Sequence, residues 1–146
     1  IQAPETLPAL ELGLPPGVVA QALKVLVVED NVDQLAMLSG ALRQLGHGVQ
    51  TANSGPDGLT IASHWQPDVM LLDIALPGLN GYEVARRVRS DPASSGTYLV
   101  AVTGYVGESD VAAARAAGFD AHLSKPLNYA DLGKLLAERA ERPLPG

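Results

Sequence analysis

The chain has 146 residues, 47% of them apolar, a formal charge of -6 and no cysteine. That length and apolar content suit one globular domain with a real core plus a tail, and leave too little chain for two full domains. The acidic balance, with no Lys/Arg block to override it, argues against direct binding to nucleic acid or insertion into a membrane. The lack of cysteine excludes a disulfide framework, a thiolate metal site and a thiol nucleophile, in keeping with a reducing, cytoplasmic setting.

No apolar stretch approaches the length that spans a bilayer. The start, "IQAPETLPAL", lacks an initiator Met and the basic-then-apolar order of a signal peptide, so the chain is expected to be a piece cut from a longer protein. Residues 1–23 carry Pro4, Pro8, Pro15 and Pro16 among scattered leucines. Neither a helix nor a central strand runs through such a stretch, and it is expected to be a Pro-rich linker.

From Lys24 the pattern becomes regular. "KVLVVED" is a continuous β-branched run, the signature of a strand buried on both faces. "NVDQLAMLSGALRQLGH" follows, with Val32, Leu35, Leu38, Leu42 and Leu45 at helical spacing and a stop at Gly46. The cycle recurs. "GVQTA" leads to a helix from about Gly55 to Trp65, "DVMLLD" to a helix from Gly81, "TYLVAVT" to a helix from about Glu108 to Ala117, and "AHLSK" to a helix from about Tyr129 to Ala140. Strict alternation with short connections predicts an α/β domain over residues 24–140, a parallel sheet with helices on both faces, and a short tail over 141–146.

In open α/β sheets ligands bind outside the carboxyl ends of the strands, where strand order reverses. Here those ends read Glu29 and Asp30, then Asp73, Thr103 and Lys125. Carboxylates crowded within a few ångströms do not all stay ionised without a cation, because like charges raise one another's pKa. Mg²⁺ suits the set: it prefers oxygen ligands and is commonly held by one or two carboxylates together with a phosphate. Asp30 and Asp73 fit as direct ligands, with Glu29 acting through water. Lys125 and Thr103 supply the charge and hydroxyl that bind phosphoryl oxygens. Carboxylates are known nucleophiles in phosphoryl transfer, and Asp73 lies centrally, so it is the expected phosphoacceptor.

Four segments in order, "VLVVEDN", "DVMLLDIALPGLNGYEVARRVR", "VAVTGY" and "DAHLSKPL", resemble the receiver domain of two-component response regulators over roughly residues 24 to 140. The resemblance implies a flavodoxin-like, doubly wound five-stranded sheet of order 2-1-3-4-5. It also implies phosphotransfer to Asp73 from a histidine kinase or a histidine phosphotransfer protein, and Mg²⁺ held by Asp30, Asp73 and the main-chain carbonyl of Ala75, with Glu29 behind. Thr103 would turn toward the phosphoryl group, Lys125 would pair with it, and the Lys125-Pro126 bond would be cis, a form only X-Pro bonds adopt cheaply. "VTGY" and "DAHLSKP" with the Pro-rich leader are similar to receivers of hybrid sensor kinases. A stand-alone regulator is the alternative.

The sequence departs from the family pattern at the switch, where His122 stands in place of the usual Tyr or Phe. An imidazole is smaller and titrates near neutrality, which puts the usual coupling to Thr103 in doubt. Glu29 replaces the commoner Asp, and Ala75 and Tyr105 occupy positions that in the family tune phosphate lifetime.

Each residue taken alone has a plainer reading: Asn31 and the acids before it as helix caps, Asp73 as a turn former, Thr103 as a strand-end residue, Lys125 as a surface lysine. Taken together, the set favours chemistry. "LPGLNGYE" reads as structure alone, with Pro77 and Gly78 as turn, Asn80 as cap and Gly81 opening the helix. His47, His64 and His122 have no metal-ligand spacing and are expected to be exposed or packed, and Trp65 to pack at a helix end.

Two other classes fit less well. A Mg²⁺-dependent phosphohydrolase usually has a second acid where Ala75 stands, and a nucleotide binder needs amides where "VVEDNVD" offers acids.

Overall fold

The computed structural model describes residues 22–104 and 108–141. The linker expected over 1–23, apart from its last two residues, lies outside them, as do Tyr105 and, after its first residue, the tail expected over 141–146. Ten elements alternate: β1 (Lys24–Val28), α1 (Val32–Gln44), β2 (Gly48–Ala52), α2 (Gly55–Trp65), β3 (Val69–Asp73), α3 (Gly81–Ser90), β4 (Tyr98–Thr103), α4 (Glu108–Ala117), β5 (Ala121–Ser124) and α5 (Tyr129–Glu141). All strand pairs are parallel, in the order β2-β1-β3-β4-β5.

Between their end residues the central strands β1, β3 and β4 are apolar throughout because both of their faces are covered. Alternate residues serve opposite layers. Leu26, Val28, Met70 and Leu72 pack with Val84 and Val88 of α3 on one side. Val25, Val27, Val69 and Leu71 pack with Leu38 and Leu42 of α1 and Leu132 and Leu136 of α5 on the other. The edge strands are only half buried, alternating along β5 and over most of β2.

Local chemistry starts and stops the helices where the sequence predicts. Asn31, Ser54 and Asn80 cap α1, α2 and α3, each side-chain oxygen accepting a backbone N–H three residues on. Gly46 closes α1 in the left-handed region at φ 97°. One expectation fails. Val32 belongs to the apolar stripe read on α1 but is 71% exposed, whereas Leu38 and Leu42 are buried. It stands in the first turn, beside the carboxyl edge of the sheet, where strand side chains to pack on have run out.

The strand order reverses between β1 and β3. The chain leaves β1 toward β2 on one side and leaves β3 toward β4 on the other, so the loops after β1 and β3 part and open a crevice at that edge.

Candidate functional site

The crevice is built from residues that follow the strands directly. Glu29 comes one residue after β1, and its N–H still pairs with the Ala52 carbonyl at 3.0 Å, so the sheet geometry extends to it. Its carboxylate accepts the Asn31 N–H at 3.0 Å. Asn31 in turn accepts the Gln34 N–H at 2.9 Å. The capping role and the site role of this acidic turn therefore coexist.

Asp73 ends β3, opposite Val102 of β4. It is buried, and each of its carboxylate oxygens is held: Oδ1 accepts the Ala75 N–H at 3.0 Å and Oδ2 accepts from Lys125 Nζ at 3.1 Å. Thr103 lies one residue further along β4, in register with Ser124, and its carbonyl accepts the Lys125 N–H at 2.9 Å. That bond delivers Lys125 to the same edge, where Nζ also reaches Glu29 Oε1 at 3.3 Å. The Lys125-Pro126 peptide is cis.

Carboxylate oxygens of Glu29, Asp30 and Asp73 lie within 4.8 Å of one another, with Glu29 and Asp73 buried and Asp30 exposed. One lysine against three acids leaves the cluster short of positive charge. Burial raises the Glu29 carboxyl above its ordinary pKa, and the charge of Asp73 pushes it the same way, partly opposed by the Asn31 N–H and by Lys125. Burial alone would lower Lys125. Its hydrogen bond to Asp73, the Asp73 charge and then Glu29 outweigh that and hold the ammonium above the usual lysine value. An all-oxygen, charge-deficient pocket open on one side through Asp30 fits a hard divalent cation that keeps part of its water. Ala75, two residues beyond Asp73, is exposed at the rim.

Sequence reasoning therefore names residues that meet: Glu29, Asp30, Asp73 and Lys125 converge, and Thr103 stands on the adjoining strand end. His122 is exposed on β5. His64 is exposed and bonds within its own helix to the Thr60 carbonyl, whereas His47 is buried, taking the packing role of the two expected. Trp65 packs against the core from the end of α2, as read from its place beside Pro67.

What the sequence reading missed is an apolar groove leading from Asp73 and Lys125 between α1 and the start of α5, lined by Met37, Leu38, Pro126, Leu127 and Tyr129. Met37 is 62% exposed and Tyr129 37%. A signal existed, since Met37 falls off the buried stripe of α1 yet is apolar.

Comparison with known proteins agrees with this geometry. The family described as response regulator receiver domain matches residues 25–137. Protein PilH of Pseudomonas aeruginosa is 33% identical over 113 residues, covering 77% of this chain and 93% of PilH. The virulence sensor protein BvgS of Bordetella bronchiseptica is 36% identical over 141 residues, covering 88% of this chain but only 11% of BvgS. Among solved structures, the receiver domain of the sensor histidine kinase PA1611 from Pseudomonas aeruginosa, with a magnesium ion coordinated in its active-site cleft, has a TM-score of 0.76 at 27% identity, covering 84% of this chain and all of that one. The receiver domain of Ssk1 from Saccharomyces cerevisiae, in complex with the histidine phosphotransfer protein Ypd1, has a TM-score of 0.78 at 28% identity, covering 84% of this chain and 91% of that one.

Proposed function

Because the chain belongs to the response regulator receiver domain family, we propose that it is the phosphoacceptor of a two-component phosphorelay, taking a phosphoryl group onto Asp73 with Mg²⁺ bound beside it. The observation that carries the reading is the Asp73 carboxylate itself, buried yet held between a backbone N–H and a lysine, with two further acids within 4.8 Å.

In the proposed step a carboxylate oxygen of Asp73 attacks phosphorus of a phosphohistidine, forming an O–P bond while the N–P bond breaks and the bonding pair leaves with the imidazole nitrogen. Asp30, Asp73 and the Ala75 carbonyl would hold Mg²⁺, with Glu29 reaching it through water. The ion supplies charge neutralisation at the transferring oxygens. Lys125, already on Asp73, follows the new negative charge, and the Thr103 hydroxyl binds a phosphoryl oxygen from the adjacent strand end. The aspartyl phosphate thereby biases the loops after β3 and β4 between two arrangements. His122 stands at the switch position in place of Tyr or Phe, a smaller ring for any coupling to Thr103.

The apolar groove beside α1 supports a protein donor, a histidine kinase domain or phosphotransfer protein. Exposed Met37 and Tyr129 flank the route to Asp73, and apolar side chains near a charged site are the kind that anchor a partner. Among the described residues no helix is long and apolar enough to cross a membrane. A cytoplasmic placement is the reading in keeping with that and with the absence of cysteine.

The match to BvgS, in which this chain spans about a tenth of the length, favours a receiver within a hybrid sensor kinase. The match to PilH, spanning nearly all of it, favours a stand-alone regulator. The gene surrounding this segment separates the two, since an upstream ATPase domain is expected only for the first. Phosphotransfer is tested by incubating the domain with Mg²⁺ and a small phosphodonor and measuring intact mass. A gain of one phosphoryl group in the wild type and none in Asp73→Asn is expected; equal gain in both rules out Asp73.

A further inference from the structure

The segment "LPGLNGYE" reads from sequence as a turn and a helix start without chemistry, yet its glycine lies against the phosphoacceptor's own backbone. Gly81 is buried at the first position of α3. A Cβ built on it would stand 2.6 Å from Ile74 Cα, 2.9 Å from the Asp73 carbonyl oxygen and 3.3 Å from the Ile74 nitrogen. All three are main-chain atoms, so no rotamer change relieves the contact. The same residue closes the loop by hydrogen bonding, its N–H donating to the Ile74 carbonyl at 3.0 Å.

The crowded atoms carry the site. The Ile74 N–H donates to the Val102 carbonyl at 3.1 Å, extending the β3–β4 ladder one step past Asp73. The next N–H, that of Ala75, holds Asp73 Oδ1. A displacement of Ile74 therefore moves the peptide that orients the carboxylate and the Ala75 carbonyl with it. We infer that Gly81 is a positioning residue for phosphotransfer: its missing side chain lets α3 brace the Asp73–Ile74 backbone and so sets the Asp73 carboxylate and Ala75 carbonyl at their working distance. The inference rests on the phosphoacceptor reading of Asp73.

Gly58 is the matched control. A Cβ there would meet Val28 Cγ2 at 2.8 Å, Val28 Cγ1 at 3.3 Å and Met70 Cε at 3.6 Å, side-chain atoms only. Both Gly58→Ala and Gly81→Ala are expected to lose thermal stability, as small-to-large changes in packed sites do. Their effects on the site are expected to differ. Misplacement of reacting groups by about an ångström costs on the order of a hundredfold in rate.

The experiment titrates Mg²⁺ alone into wild type, Gly58→Ala and Gly81→Ala by calorimetry, follows phosphorylation of each with a small phosphodonor by intact mass, and records amide exchange in the wild type. Gly81→Ala is expected to weaken Mg²⁺ binding and slow phosphorylation by about tenfold or more, with Gly58→Ala close to wild type in both. Gly81→Ala matching Gly58→Ala in both would overturn the inference while leaving Asp73 in place. A wild type that gains no phosphoryl group sinks the parent reading instead. Should Gly81→Ala fail to fold, wild-type exchange decides: a Gly81 amide as protected as that of Ile74 supports the brace, and one exchanging at the rate of an open loop refutes it.

Discussion

The two ends of the sheet both hold polar groups out of water, and they do so in opposite ways. At the amino end most such groups are paired with complementary ones, the exception being Arg139 Nε, which is buried without a hydrogen-bond partner among the described residues although its guanidinium lies over the Tyr98 ring. Lys24 N–H donates to Asp68, its ammonium goes to the Trp65 carbonyl, and the Leu23 N–H goes to His47 Nδ1 at 3.0 Å. Arg89 donates to the carbonyls of Ser95, Thr97 and Gly118 and to Asp120. At the carboxyl end, three acids cluster and the lysine beside them bonds two, Glu29 and Asp73. Satisfied groups hold a fold together; a cluster of one sign, left short of its counter-charge, is held ready for a ligand.

That contrast can be broken most sharply at Asp73. Asp73→Asn is expected to abolish phosphorylation entirely while keeping or raising the thermal midpoint, because it removes one of two buried like charges; a fall of several degrees would show that Asp73 is structural. At the other end, Arg89→Ala is expected to cost about 2–4 kcal/mol in urea unfolding, since it strips donors from three carbonyls and unpairs Asp120. Phosphorylation by a small donor should survive in its folded fraction.

Mg²⁺ sharpens the same difference. At a hundredfold excess over its dissociation constant it is expected to stabilise the wild type by about 2.7 kcal/mol, measured as a shift in the urea midpoint, and to lose most of that effect in Asp30→Asn. Equal stabilisation of both would place the ion elsewhere.

The smallest effect expected is at His47. Burial lowers its pKa from 6.5, so the folded state binds its proton less readily than the unfolded chain. Its contribution is complete above the unfolded value and is lost as pH falls from there through the lowered folded value. The unfolding free energy, measured by urea titration at a series of pH values, should therefore drop below about pH 6.5 with a slope of at most about 1.4 kcal/mol per pH unit, and His47→Gln should flatten that drop. Identical profiles would assign the acid lability to other groups.

Much of this was legible in the linear order of residues. The β-branched run of β1, the caps Asn31 and Asn80 and the stop at Gly46 act over a few residues, and alternation of such units with short connections leaves few topologies besides a parallel sheet with covered faces. Because parallel strands all end at one edge, even the convergence of Glu29, Asp30, Asp73 and Lys125 followed from their each standing at a strand end.

What the residues in order did not disclose depends on distances between segments far apart along the chain. Val32 matches its stripe but meets no strand; His47 looks like a turn residue but is covered and bonded to Leu23, 24 positions away. Met37 becomes part of a groove only when Tyr129 stands across from it. Gly81 reads as a helix start until the Asp73 carbonyl is found where its Cβ would be. The sequence by itself determined which elements form and which chemical groups reach the edge, since those are matters of local propensity and period. Only the tertiary structure decided which groups are buried, crowded or braced, because burial and Coulomb energy depend on every neighbour within a few ångströms, whatever its place in the chain.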